Sequence, residues 1–274
     1  MHVPDLFRVP LVLLAGIGLA QPAAALSPSE TDPRVIMSAV EERATGDRQL
    51  SRMQITIRDK AGRERTRVVQ GRTMDFDGGT RQLIFFESPA DVRNAGMLSV
   101  DYDDGDATDD QWLYLPSLKK TTRISSSDKS GSFMGTDLTY SDMTRKDPAA
   151  YDYVLVEANA EVNGEACWLI EARPRTEKEK SETGYLKSHV WISKSKLMVV
   201  QNKSWVIVGK KLKYTRFTDI KEVNGVQIAH TLTVRTMRNG AKESESILQF
   251  IELKLDDADI SESDFTEQRL EQGL

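Results

Sequence analysis

Cysteine, histidine and recognisable catalytic motifs are nearly absent from this sequence. Cys167 is the only cysteine in 274 residues, so no intramolecular disulfide can brace the fold and stability must come from a core. It lies in "ACWLIEA", an apolar strand-like run, and reads as a buried, inert thiol. Beyond residue 25 only His189 and His230 remain. His230 falls on the apolar side of an alternating run, where a core histidine is commoner than a catalytic one. G-x-S-x-G, H-E-x-x-H, Cys/His metal spacings and a Gly-rich phosphate loop are all missing. An enzyme would need its groups scattered through the chain, and neither a cofactor nor a metal is expected. A net charge of -5 without a long basic stripe argues against nucleic acid.

Long apolar runs are confined to the start of the chain. Arg8 precedes "VPLVLLAGIGLA" (9–20), followed by "QPAAAL" with small residues at Ala23 and Ala25. A charged start, a short apolar stretch and an A-x-A-type site read as a signal peptide over 1–25. Cleavage after Ala25 would leave 26–274 as one domain, exported and periplasmic.

Helical periodicity is also scarce. "DPRVIMSAVEERATG" (32–46) is the clear case, with Pro33 in the first turn, Val35, Ile36, Ala39 and Val40 on one face, and Gly46 as the stop. Elsewhere period-two patterns prevail, as in Met53, Ile55 and Ile57 or Val226, Ile228, His230, Leu232 and Val234. Asn163-Gly164, Asn224-Gly225 and Asn239-Gly240 each join two such runs, as hairpin turns require. Strands are expected near 48–58, 63–75, 80–87, 96–102, 110–115, 150–160, 165–174, 187–194, 197–208, 211–221, 226–237 and 243–255. The fold class is mainly β: one long antiparallel sheet curling into an unclosed barrel, with a few covering helices. "QLIFFE" (82–87), "LMVV" (197–200) and "WVIV" (205–208) are apolar on both sides, so something must cover each face.

Three polar or mixed stretches remain. "DYDDGDATDDQW" (101–112) fails the EF-hand spacing, because counting back from Gly105 puts Val100 at position one. It reads as a solvated acidic loop. "SLKKTTRISSSDKS" (117–130) carries Lys119, Lys120, Arg123 and Lys129. It is either a charge-protected sheet edge or a basic rim, made by Lys119, Lys120 and Arg123, that meets an anionic headgroup or acidic partner. "GSFMGTDLTYSDM" (131–143) sets Phe133, Met134, Leu138, Tyr140 and Met143 among Gly, Ser and Thr. Phe133 and Met134 can plug the core, or form a lid hinged at Gly131 and Gly135 over a lipid-sized cavity. Asp137 or Ser141 is a candidate cap for a short helical turn through "YSDMTR".

The succession "FFESPADV", "MLSVDY", "DDQWLYLPSLKKTTRI" and "SFMGTDLTYSDM", followed by strand hairpins to the end, resembles the periplasmic outer-membrane lipoprotein-sorting proteins and their LolA-like relatives. The most specific parts are Trp112 to Pro116 and Phe133 to Met143, and the chain is longer than the lipoprotein carrier of that family. The resemblance implies an unclosed antiparallel barrel whose helices stopper an apolar cavity. It further implies acyl chains of a lipid or lipoprotein as cargo, an inner-membrane transporter as donor and an outer-membrane acceptor. Together these readings suggest a non-enzymatic carrier; a sensor module on the same fold is the rival. Its expected apolar cavity and lid comprise Phe85, Phe86, Met97, Trp112, Tyr114, Phe133, Met134, Tyr140, Trp205 and Ile207. Each buried methylene is worth about 0.8 kcal/mol, so one long chain in a dry pocket offsets the cost of association.

Overall fold

The computed structural model describes residues 26–43, 45–104 and 107–274, so the signal-peptide reading of 1–25 lies outside the described residues. Its first helix, α1 (Pro33–Glu41), starts where Asp32 accepts from the backbone N–H groups of Arg34 and Val35. Six strands follow: β1 (Arg48–Asp59), β2 (Glu64–Phe76), β3 (Gly79–Ser88), β4 (Gly96–Tyr102), β5 (Asp110–Leu115) and β6 (Lys120–Arg123). After an irregular connection come β7 (Tyr151–Val162), β8 (Glu165–Pro174), α2 (Glu177–Thr183), β9 (Tyr185–Ser193) and β10 (Met198–Val206). The chain ends with β11 (Lys211–Val223), β12 (Val226–Arg238), β13 (Ala241–Leu255) and α3 (Glu267–Gln272).

All 13 strands form one sheet in the order β6-β5-β4-β3-β2-β1-β13-β12-β11-β10-β9-β8-β7. Every ladder is antiparallel. The sheet is an unclosed barrel, with β6 and β7 as its two free edges. The Asn-Gly turns do what their composition requires: Asn163/Gly164, Asn224/Gly225 and Asn239/Gly240 all take positive φ, the paired left-handed geometry of a tight hairpin. The four-residue edge strand β6 is one that the sequence pattern does not reveal, because its Lys-Thr-Thr-Arg has no apolar alternation.

Register divides the sheet's apolar residues between two faces. Ile84 pairs with Met97, and Met97 with Leu113; Leu83 pairs with Leu98, and Leu98 with Trp112. The first set shares a face with Ile55 and Val234, and it is crossed by the chain that links β6 to β7. We refer to this as the inner face. At the far end of the same face, α1 buries Ile36 against Trp168, Ile170, Val190 and Ile192. Met37 and Val40 join that contact, whereas Val35 is exposed. At about 100° per residue, Val35 lies about 200° round from Met37, so the expected face is rotated by one position. The helix also ends at Glu41, short of Gly46. On the outer face, Leu83, Phe85 and Leu98 are covered by the C-terminal segment through Ile260, Phe265 and Leu270.

Candidate functional site

The connection between the two edge strands folds into a small hairpin of its own. Phe133 N–H donates to Leu138 O (2.8 Å), Tyr140 N–H donates to Gly131 O (3.1 Å), and Ser132 and Thr139 form a bridge. The turn is made by Met134 and Gly135, both at positive φ. Hydroxyls satisfy its carbonyls: Thr136 Oγ1 donates to Phe133 O (2.7 Å) and Ser132 Oγ to Thr136 O (2.6 Å). The Gly, Ser and Thr residues thus build a tight turn, and the apolar ones are delivered by it to the inner face.

There Phe133, 1% exposed, and Leu138 pack with Ile55, Ile57, Val69, Ile84, Phe86, Met97, Val234 and Leu248. The Phe133 ring lies 6.0 Å from Phe86 and meets Tyr140 edge-on at 5.9 Å. The segment is therefore a packed plug in this structure. Of the two glycines that flank Phe133 and Met134, Gly135 takes positive φ and Gly131 does not.

Three polar ties hold the plug. Asp137, buried, accepts from Thr236 Oγ1 (2.5 Å), Ser246 Oγ (2.7 Å) and Ser244 Oγ, while its own N–H donates to Ser246 Oγ (2.9 Å). Arg67 of β2 donates to Met134 O and lies over the Phe86 ring at 5.5 Å, with burial pulling its pKa down. Asp142 accepts from Tyr185 Oη at 2.8 and 3.0 Å and from Thr139 N–H at 2.9 Å; Lys213 Nζ stands 3.5 Å away. Burial would raise the Asp142 carboxyl, but Lys213, Lys146 and these hydrogen bonds hold it below its ordinary value. Neither Asp137 nor Ser141 caps the short turn Ser141–Met143: Asp142 N–H donates to Thr139 Oγ1 (3.0 Å), and Asp137 faces the β12–β13 hairpin instead.

Sequence-derived cavity residues thus fall in three places. Phe86, Met97, Phe133, Met134 and Tyr140 meet around the plug. Phe85, Trp112 and Tyr114 lie on the outer face beneath α3, because Phe85 and Phe86 are consecutive in β3 and must point to opposite sides. Trp205 is on the outer face too, and Ile207 is 40% exposed beyond the end of β10. They line no common cavity. Of the basic stretch, Lys119 and Lys120 are exposed at the β5–β6 hairpin, and Arg123 pairs with Asp110. Lys129 is buried, donating to Asp109 O (3.1 Å) and pairing with Glu182 at 3.5 Å. Arg67, Asp137 and the hydroxyls of Thr236, Ser244 and Ser246 were not singled out by sequence as site residues. A hydroxyl at alternate positions around an Asn-Gly turn was their one available signal.

Two clefts flank the plug. One, of about 400 Å³, is lined by Thr136, Asp137, Thr139, Tyr185, Lys213 and Arg238 among others, and opens beside Val206 and Val208. The other, of about 590 Å³, lies in the seam between the sheet's two ends, with Asp101 and Asp109 on one side and Glu179 and Glu182 on the other. Asp101 in this seam is 7% exposed and its Oδ1 has no hydrogen-bond partner. Burial, reinforced by Asp109, pushes its pKa up to about 7. An acid raised in the folded state contributes stability that is complete below its unfolded pKa and disappears as pH rises through the folded value. Asp101→Asn is expected to stabilise the protein at pH 8 by on the order of 2 kcal/mol and to flatten its stability between about pH 4 and 7. Urea unfolding at pH 5 and pH 8 measures this; an equal effect at both would remove the titration from the account.

Elsewhere the chemistry is quiet. Burial raises the Cys167 thiol to about 11, which leaves it unreactive. His189 Nε2 lies 3.0 Å from Glu171 Oε2, and His230 Nδ1 lies 3.1 Å from Ile228 O. Among the described residues, no group of three or more His, Cys, Asp or Glu could hold a metal, and no helix is long and apolar enough to cross a membrane.

A family model described as "Uncharacterized protein" matches residues 78–272. No curated protein matches the chain. Among solved structures, a domain from Vibrio parahaemolyticus described as an outer-membrane lipoprotein-sorting protein is 26% identical, with a TM-score of 0.78 over 87% of this chain and 98% of that one. A DUF1329 family protein from Desulfovibrio piger is also 26% identical, with a TM-score of 0.78 over 88% and 100%. A LolA superfamily protein from Nitrosomonas europaea shares the fold at 18% identity, with a TM-score of 0.64 over 88% and 99%. The chain belongs to the family that the model over 78–272 describes, and it shares its fold with LolA-like structures.

Proposed function

We propose that this protein is a non-enzymatic periplasmic carrier that takes up acyl chains of a lipid or lipoprotein on the inner face of its sheet, in place of the plug. The observation that carries this reading is the plug itself. Phe133 and Leu138 fill an apolar surface continuous from β4 to β12, yet the hairpin bearing them is tied to the sheet by hydrogen bonds and ion pairs that can be exchanged for water. Withdrawing it would expose Ile55, Ile84, Phe86, Met97, Val234 and Leu248 together. The unpaired edges β6 and β7 leave the barrel free to widen as it does so. A headgroup would remain in the polar cleft by Lys213 and Tyr185, or in the seam. Loading from an inner-membrane transporter and delivery to an outer-membrane acceptor complete the reading; both partners are what the family resemblance of the sequence implies.

An environment-sensitive apolar dye is expected to bind with low-micromolar affinity and to be displaced by lipid. Mass spectrometry of protein purified from the periplasm identifies the cargo. Failure of both dye binding and lipid co-purification would leave the plug as an ordinary part of the core and end the carrier reading.

A further inference from the structure

We propose that the β10–β11 hairpin tip docks the protein on an anionic lipid surface. This rests on the carrier reading, since it names the surface from which cargo is exchanged. The tip, "VIVGKK" (206–211), inverts the usual pattern of an exposed turn. Val208 is 76% exposed and Ile207 40%, and Leu186 beside them is also exposed. The turn is fixed: Gly209 and Lys210 take positive φ, and Ile207 N–H donates to Gly184 O at 2.9 Å. Apolar side chains thus stand out in water beside a backbone tied down at Ile207.

Behind the tip the outer face carries cations stacked on aromatic rings. Lys187 and Lys203 lie 4.8 and 4.6 Å from the Trp205 ring centroid, and Lys203 also lies 5.6 Å from that of Tyr214. Carboxylates are outnumbered here. Glu171 serves both Lys187 and Arg173, and Glu243 serves both Lys211 and Arg238. Lys203 and Lys210 have no carboxylate partner among the described residues. A positive excess at one end of a chain whose net charge is -5 is complementary to an anionic surface. The Trp and Tyr rings sit where amphipathic aromatics meet the headgroup layer. Three apolar side chains fall far short of the roughly 1,200 Å² that a stable protein interface buries, but they suffice to enter a bilayer's surface. The 400 Å³ cleft beside the plug opens between Val206, Val208 and Lys211, so docking here would bring its mouth to the lipid.

The test is cosedimentation with vesicles of phosphatidylcholine alone and of phosphatidylcholine with about one third phosphatidylglycerol. The protein is expected to bind the anionic vesicles only, and to lose binding as salt rises from about 0.05 to about 0.5 M. Ile207→Ser with Val208→Ser should weaken binding by about ten-fold or more, and Lys203→Gln with Lys210→Gln by about five-fold per residue at low salt. Both variants should retain wild-type apolar-dye binding, because neither touches the plug. Equal binding of both vesicle types, or anionic binding unchanged in the apolar-tip variant, overturns docking. A protein that binds dye but no vesicle keeps the carrier reading and loses this one; one that docks but takes no dye does the reverse.

Discussion

Truncating Phe133 to alanine is expected to cost about 3–5 kcal/mol of folding stability and to tighten the binding of an apolar dye. The first effect follows from burial. The ring is 1% exposed and packed between Phe86 and Tyr140, and the sheet beneath it cannot collapse to fill the gap. The second follows from what the gap would be lined with. An apolar hole between Ile55, Phe86, Met97 and Leu248 stays dry and accepts apolar guests. Urea unfolding and dye titration of the same variant separate the outcomes. A loss below about 1 kcal/mol would return Phe133 to the status of a weakly held lid. A large loss without tighter binding would make it structural alone.

Asp137→Ala should be nearly as damaging to stability, by about 2–4 kcal/mol, for a different reason. Its carboxylate is the shared acceptor for three hydroxyls of the β12–β13 hairpin. Removing it takes the shared acceptor from the buried hydroxyls of Thr236 and Ser246 and from half-buried Ser244. Because those bonds anchor the plug rather than the sheet, stopped-flow dye uptake should also quicken. Thr236→Val removes one hydroxyl and leaves two, and should cost only about 1 kcal/mol. Equal losses for Asp137→Ala and Thr236→Val would mean that the carboxylate is not the common anchor. An unchanged uptake rate would mean that the tie does not govern the plug.

Most of the sheet was legible in the chain, because an antiparallel meander writes itself locally. Alternation in Met53-Ile55-Ile57 and an Asn-Gly pair between Val223 and Val226 are enough to place strands and turns. β6 escaped because a short edge strand is chosen for polarity, so its residues look like loop. The site was legible only in kind. Apolar residues in 131–143 signalled something to be covered, and Phe86 and Met97 pack around them. Phe85, Trp112, Tyr114 and Trp205 lie on the opposite face, because two-sided apolar strands do not say which face meets which cover. α3 resolves that ambiguity by occupying the outer face, and its six residues carry no strong signal of where they dock. The ties at Arg67 and Asp137 depend on side chains more than sixty residues apart, and nothing local marks such pairs.

The strand order carries a consequence for how the chain reaches this shape. β1 to β6 form one meander and β7 to β13 another, and within each every ladder joins consecutive strands. Only β1 and β13 pair across the length of the chain, from Gln49–Leu255 to Asp59–Ser244. Two zippers of local contacts can therefore close quickly, while joining them requires closing a loop of nearly the whole chain, a slow step for a β-protein. The plug rests on that late seam, touching β2 and β3 from one meander and β12 and β13 from the other. The segment that would yield to cargo is thus also the clasp between two folding units.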